Sequence, residues 1–72
     1  MPELELFSVV ALLRDIPDQG LVRGQVGTIV EELAPQVYLV DFCDDEGHSY
    51  AIATLRSDDL IRLHHRPLDR VA

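Results

Sequence analysis

The run from Arg14 to Glu31, Arg-Asp-Ile-Pro-Asp-Gln-Gly-Leu-Val-Arg-Gly-Gln-Val-Gly-Thr-Ile-Val-Glu, limits this chain more than any other part of it. A turn-forming stretch with Pro17, Gly20 and Gly24 runs directly into the β-branched segment that starts at Val26. Proline fixes φ and removes a donor, while glycine admits positive φ, so the stretch reads as a long ordered loop between two strands. Gly27 lies inside the second of those strands, where glycine marks a bulge or a sharp bend. If its φ is positive, Gly27→Ala costs on the order of 1 kcal/mol or more. A long first loop followed by a bent strand is the opening of a small β-barrel.

The remaining strands follow from alternation and turn chemistry. Phe7 to Leu13 is a short apolar run and is read as the first strand, with Val26 to Leu33 as the second. Ala34-Pro35-Gln36 breaks the pattern and permits a tight reversal. Val37 to Cys43 is the clearest strand, because Tyr38, Val40 and Phe42 share one face and Asp41 must take the other. Asp44-Asp45-Glu46-Gly47 is a hairpin loop with glycine available for positive φ, and His48 to Leu55 returns as the fourth strand. Ser57 to Leu60 predicts a single helical turn with Ser57 as its cap, and Ile61 to Leu63 a short fifth strand closing the barrel. The expected fold is therefore all-β: a five-stranded SH3-like barrel over residues 7–63, with an N-terminal extension at 1–6 and a polar tail at 64–72. An OB-type barrel would need longer strands and a true helix between strands three and four, and the Asp44–Gly47 hairpin leaves no room for one.

Seventy-two residues make one domain. A chain of this size buries only about 60% of its unfolded surface, so its core is marginal. Cys43 is a single cysteine and forms no bridge within the chain, which points to a reducing, cytoplasmic setting. The acidic N-terminus lacks the basic start of a signal peptide, and no apolar run is long enough for a membrane helix. The net charge is −7 and all six cations are arginine. Nucleic-acid affinity rests on cations that neutralise phosphates, so neither a nucleic acid nor a membrane is an expected partner. Arg62, Arg66 and Arg70 are close in sequence and read as ordinary surface charge.

The residue order carries a resemblance. Arg14-Asp15-x-Pro17-x-x-Gly20-Leu21-x-x-Gly24-x-Val26-Gly27-Thr28-x-Val30, then Tyr38-x-Val40-x-Phe42, then Gly47 and Ala51 to Leu55, resembles the DUF4926 family over about residues 7–63. The Gly24-x-Val26-Gly27-Thr28 block is its most specific part. One departure is an apparent extra residue in the first strand, where Val9 to Leu13 precedes Arg14. The resemblance implies a small bacterial SH3-like domain of unknown function, and it brings no catalytic residues with it. At fold level the chain is also similar to SH3-like accessory subunits of electron-transfer and nitrile hydratase assemblies. A ferredoxin-docking subunit needs a basic face, and a charge of −7 opposes that encounter.

Cys43 to His48 gathers a thiol, carboxylates and an imidazole, but within one hairpin and without the paired-ligand spacing of zinc or the loop of a calcium site. His64 and His65 are adjacent and would face opposite ways on a strand. No metal and no cofactor is therefore expected. Asp44 and Asp45 raise a neighbouring thiol pKa, which disfavours Cys43 as a nucleophile, and Ser8, Ser49 and Ser57 lie in no nucleophile elbow. Gly20, Gly24 and Gly27 precede no helix and no lysine, so they are not a phosphate loop. Pro17, Gly20, Gly24, Gly27 and Gly47 are assigned to structural turns.

The expected function is a non-enzymatic protein-interaction module, with an accessory or regulatory subunit of a larger enzyme or electron-transfer complex as the alternative. The expected contact surface combines the Asp15–Gln25 loop with the Asp44–Gly47 hairpin, through Asp18, Leu21, Val22, Arg23, Asp44 and Asp45. A protein partner or self-association, such as a homodimer formed by strand pairing, is the expected occupant.

Overall fold

A computed structural model describes residues 4–64. Five strands form one antiparallel sheet: β1 Val9–Leu12, β2 Val26–Ala34, β3 Val37–Cys43, β4 Ser49–Arg56 and β5 Leu60–Arg62. Their order across the sheet is β4-β3-β2-β1-β5. The only helical elements among the described residues are two 3₁₀ turns, Pro17–Gln19 and Ser57–Asp59. The expected all-β fold with five strands is thus observed. Among the described residues β4 and β5 do not pair with each other, so the sheet is open and the word barrel applies only loosely.

The core explains the sheet's curvature. Tyr38, Val40 and Phe42 alternate along β3 and are each 0% exposed, as their spacing predicts. They pack with Val10 and Leu12 of β1, Ile29 of β2, Ala53 and Leu55 of β4 and Leu60 at the start of β5. No helical layer covers this face among the described residues. Side chains can then be fully buried only if the sheet folds over itself, with Ile16 and Leu21 of the first loop completing the cluster. Tyr38 also has a polar end to satisfy, and its hydroxyl accepts the Leu4 N–H at 3.2 Å.

The bend lies elsewhere than expected. Gly27 is regularly paired, opposite Val10 on β1 and Phe42 on β3, and it is not among the positive-φ glycines. The register of β2 instead shifts between Ile29 and Glu31 and again between Glu32 and Ala34, so the irregularities fall at Val30 and Leu33. Gly27 serves close approach. A Cβ built there would lie 2.8 Å from Val40 Cγ1, 2.9 Å from Phe42 Cδ1 and 3.0 Å from the Asp41 carbonyl oxygen. The glycine is needed because the large β3 side chains cross directly over its backbone.

Several boundaries also move. β1 starts at Val9 rather than Phe7, because Phe7 sits in a turn with φ 67° and its ring is 72% exposed. It ends at Leu12, since the Leu13 N–H leaves the ladder and donates to the Asp59 carbonyl at 2.8 Å. β2 extends to Ala34, β4 covers Ser49–Arg56, and β5 is Leu60–Arg62 instead of Ile61–Leu63. Ser57 does not cap its turn. Its hydroxyl bonds Gln36 Oε1, while the Asp59 carboxylate closes the turn by accepting the Arg56 N–H at 3.2 Å. The β2–β3 reversal places Pro35 ahead of Gln36 at φ 62°, the conformation of a type II turn. Of the expected tail, residues 65–72, with His65, Arg66 and Arg70, lie outside the described residues.

Candidate functional site

The first loop is held by its own hydrogen bonds. Ile16 and Leu21 form an antiparallel bridge, with N–H to carbonyl distances of 2.8 and 3.1 Å in the two directions. Between them Pro17 opens the 3₁₀ turn and Gly20, at φ 69°, ends it, with the Gly20 N–H bonded to the Pro17 carbonyl. Both bridge residues point into the core, Leu21 at 1% exposure, so the loop is anchored from below. Its return limb is tied to β1 by Gly24 N–H to the Leu12 carbonyl and Leu12 N–H to the Gln25 carbonyl. Two side chains fix the tip: Asp15 Oδ1 accepts the Arg23 N–H at 2.8 Å, and Gln25 Oε1 accepts the Val22 N–H at 2.6 Å.

The β3–β4 hairpin is built on the same principle. Asp44 Oδ1 accepts the N–H groups of Glu46 and His48, both at 2.9 Å, and Gly47, at φ 85°, donates its N–H to the Asp44 carbonyl. A bulge follows: Phe42 pairs with Ala51 and Cys43 with Ser49, leaving Tyr50 as the additional residue. The bulge directs Tyr50 toward Phe42, with ring centroids 6.4 Å apart, and brings its hydroxyl within 3.1 Å of Gln25 Nε2. Gln25 is thereby a joint. Its amide oxygen holds the loop tip and its amide nitrogen reaches the hairpin strand.

The expected surface residues divide by role. Leu21 is a core residue, which removes it from the contact surface: the bridge to Ile16 turns its side chain inward. The Asp44 carboxylate is engaged by its own hairpin, so its role is structural. Asp18, Val22, Arg23 and Asp45 are exposed, Val22 at 54%. Pro17, Gly20, Gly24 and Gly47 occupy turns as expected, whereas Gly27 is a strand residue. Tyr50 joins the site from outside the expected segments, while Asp15 and Gln25, the two ends of the expected loop, fasten it through their side chains. An Asx pattern at Asp15 was readable, but nothing local links Gln25 to Tyr50 across 25 positions.

The electrostatics of the hairpin are acidic. The His48 ring Nδ1 stands 3.7 Å from Asp44 Oδ2 and 3.8 Å from Glu46 Oε1. Partial desolvation of the sulfur, followed by the Asp41 and Asp44 carboxylates, pushes the Cys43 thiol above its ordinary pKa. Asp41 replaces Asp45 in that effect, because it flanks Cys43 on the strand and its carboxylate also accepts the Ser49 hydroxyl. Among the described residues no three His, Cys, Asp or Glu side chains converge as a metal site would require. Nor is any described helix long and apolar enough to cross a membrane.

The family model of the domain of unknown function DUF4926 matches residues 6–62. No curated protein and no solved structure matches the chain.

Proposed function

The chain belongs to the DUF4926 family, and we propose, from its geometry and charge, that it is a cytoplasmic, non-enzymatic protein-interaction module with an SH3-like barrel. Its contact surface is the sheet end where the first loop meets the β3–β4 hairpin. The observation that supports this reading is the Gln25 joint, which couples two loops that are each already fixed by Asp or Gln side chains. Rigid loops on a sheet present side chains without a large ordering cost on binding. Around the joint stand exposed Val22 and half-exposed Tyr50, with Asp18, Asp45 and Arg23 as the charged surroundings. An apolar centre with a charged rim is the usual anatomy of a protein contact.

The accessory-subunit reading would gain from a basic face. Two of the four described arginines face carboxylates, Arg14 with Asp59 at 2.7 Å and Arg62 with Glu5 at 3.6 Å, which leaves little for a basic face and favours the module reading. The test is capture by the tagged full chain from native cytosol at moderate salt, read by mass spectrometry. One protein recovered at near-equal amount supports the module, and an enzyme recovered in that way supports the accessory subunit. Recovery of nothing above background contradicts both.

A further inference from the structure

Among the described residues the sheet has one long open edge, β4, and its hydrogen-bonding parity can be read from the turns that flank it. Ser57 donates its N–H to the Gln36 carbonyl at 3.0 Å, the bond that flanks a pair of strand residues not bonded directly to each other. The Val37–Arg56 pair is therefore of that kind. By alternation along an unbroken register, so are Leu39–Thr54 and Asp41–Ile52. Ile52, Thr54 and Arg56 then direct their backbone N–H and C=O groups away from β3, toward the open side. The Arg56 N–H is taken by the Asp59 carboxylate. Ile52 and Thr54 remain, between a bulge at Tyr50 and a closed turn at Ser57.

The usual protection of such an edge is missing from this window. β4 contains no proline, no lysine and no acidic residue, and its single charge is Arg56 at the far end. In a chain of net charge −7, Ile52 to Thr54 carry no carboxylate of their own, and the Asp59 carboxylate at the Arg56 end of the edge is engaged by Arg14. Ile52 stands 56% exposed on the outer face of the same strand.

We propose that β4 pairs antiparallel with β4 of a second copy of this chain, about a two-fold axis at Ala53. In that register Ile52 of each copy exchanges both backbone hydrogen bonds with Thr54 of the other. No other symmetric register so fully matches the outward-facing groups of Ile52 and Thr54, because centring on Ile52 sets Thr54 against the bulged Tyr50, and centring on Thr54 sets Ile52 against Arg56, whose N–H is already taken by Asp59. Ala53 on the axis is small and turned into its own core, so the two backbones meet without obstruction. The two Arg56 side chains fall at opposite ends of the ribbon, roughly 20 Å apart at about 3.3 Å per residue. Parallel pairing would place them side by side. The contact is isologous, so it closes as a dimer and leaves no β4 edge for a third copy. It deepens the interaction-module reading with a named partner on a second surface, the β4 edge, which begins beside Tyr50 of the loop end.

The contact is one strand wide, so the dimer is weak and concentration-dependent. Sedimentation equilibrium of the full chain over about 10 µM to 1 mM, the range of weak association, should show the mass rising from 8.1 kDa toward twice that value. Thr54→Pro removes an outward N–H that the β3 ladder does not use, and Ile52→Lys places a charge on each side of the axis. Both variants should remain monomeric over the same range with wild-type circular dichroism. Should Thr54→Pro fail to fold, the exposed Ile52→Lys substitution decides. A wild-type chain that stays monomeric to 1 mM overturns the proposal, as does a dimer that Ile52→Lys leaves intact or a mass that climbs beyond two copies. Monomeric behaviour with a partner still captured at the loop end would reject the dimer and leave the module reading standing.

Discussion

β3 and the first loop are held in shape by opposite means. In β3 the order comes from side chains: Tyr38, Val40 and Phe42 are wholly buried, and the backbone follows the pleat that their alternation requires. In the loop it comes from the backbone, because the Ile16–Leu21 bridge, a 3₁₀ turn, two positive-φ glycines and the Asp15 and Gln25 side chains shape it and satisfy its polar groups. The loop contributes only Ile16 and Leu21 to the core. Apolar burial therefore fixes where the chain must go, and polar fastening fixes the shape that it presents. The presented surface should tolerate substitution of its exposed residues, while the strand beneath should not.

The largest effect that could break this contrast belongs to β3. Phe42→Ala removes a wholly buried ring and should cost about 3–5 kcal/mol, a large share of the stability of any small domain. Equilibrium urea unfolding would show it, and an unchanged midpoint would mean that the core is not organised around β3. Gly27→Ala comes next, at about 1–3 kcal/mol for overpacking against Val40 and Phe42. A compensating Val40→Ala in the same chain should recover part of that loss if crowding is the cause.

Gly20→Ala tests the other regime. Open space surrounds Gly20, so the penalty is that of φ 69° alone, about 1 kcal/mol. No core truncation should relieve it. The difference between the two glycines is also where the sequence was least legible. Pro17, Gly20, Gly24 and Gly47 could be placed in turns because a turn's backbone demands are local. Gly27 could not, because its reason lies in β3, some fifteen residues further along the chain. The β3 core was legible for the same local cause, through strict alternation over Val37–Cys43. The start of β1 was not, since Phe7 is apolar yet sits exposed in a turn. Likewise the Gln25–Tyr50 bond depends on a bulge, and bulges leave no pattern that composition would show.

Smaller effects sharpen the polar side. The Arg14 guanidinium, through a side-chain hydrogen bond, holds the Asp59 carboxyl below its ordinary pKa, with the Arg56 N–H adding to it. A depressed carboxyl stabilises the fold above its unfolded pKa, and that contribution is lost as pH falls through the folded value. Asp59→Asn keeps an acceptor for the Arg56 N–H but removes the charge that faces Arg14, so it should cost about 0.2–1 kcal/mol near neutral pH, as loss of an exposed ion pair does. The gap between the two chains should close on acidification below about pH 4, where an ordinary carboxylate protonates. A gap independent of pH would assign the loss to packing. The smallest effect is chemical: alkylation of Cys43 at neutral pH should be slower than that of a free thiol, because its thiolate is disfavoured. Asp41→Asn should accelerate it with little change in stability, and an unaltered rate would remove Asp41 from the thiol's surroundings.

The proposed module uses two surfaces on one core, the loop end for a partner protein and the β4 edge for a second copy. Its most direct test is a paired measurement of capture and sedimentation on Val22→Glu and Ile52→Lys, each at wild-type thermal stability. Val22→Glu should lose the captured partner and still dimerise, whereas Ile52→Lys should keep the partner and become monomeric. Equal loss of both properties in either variant, or no change in both, would contradict the separation of the two surfaces.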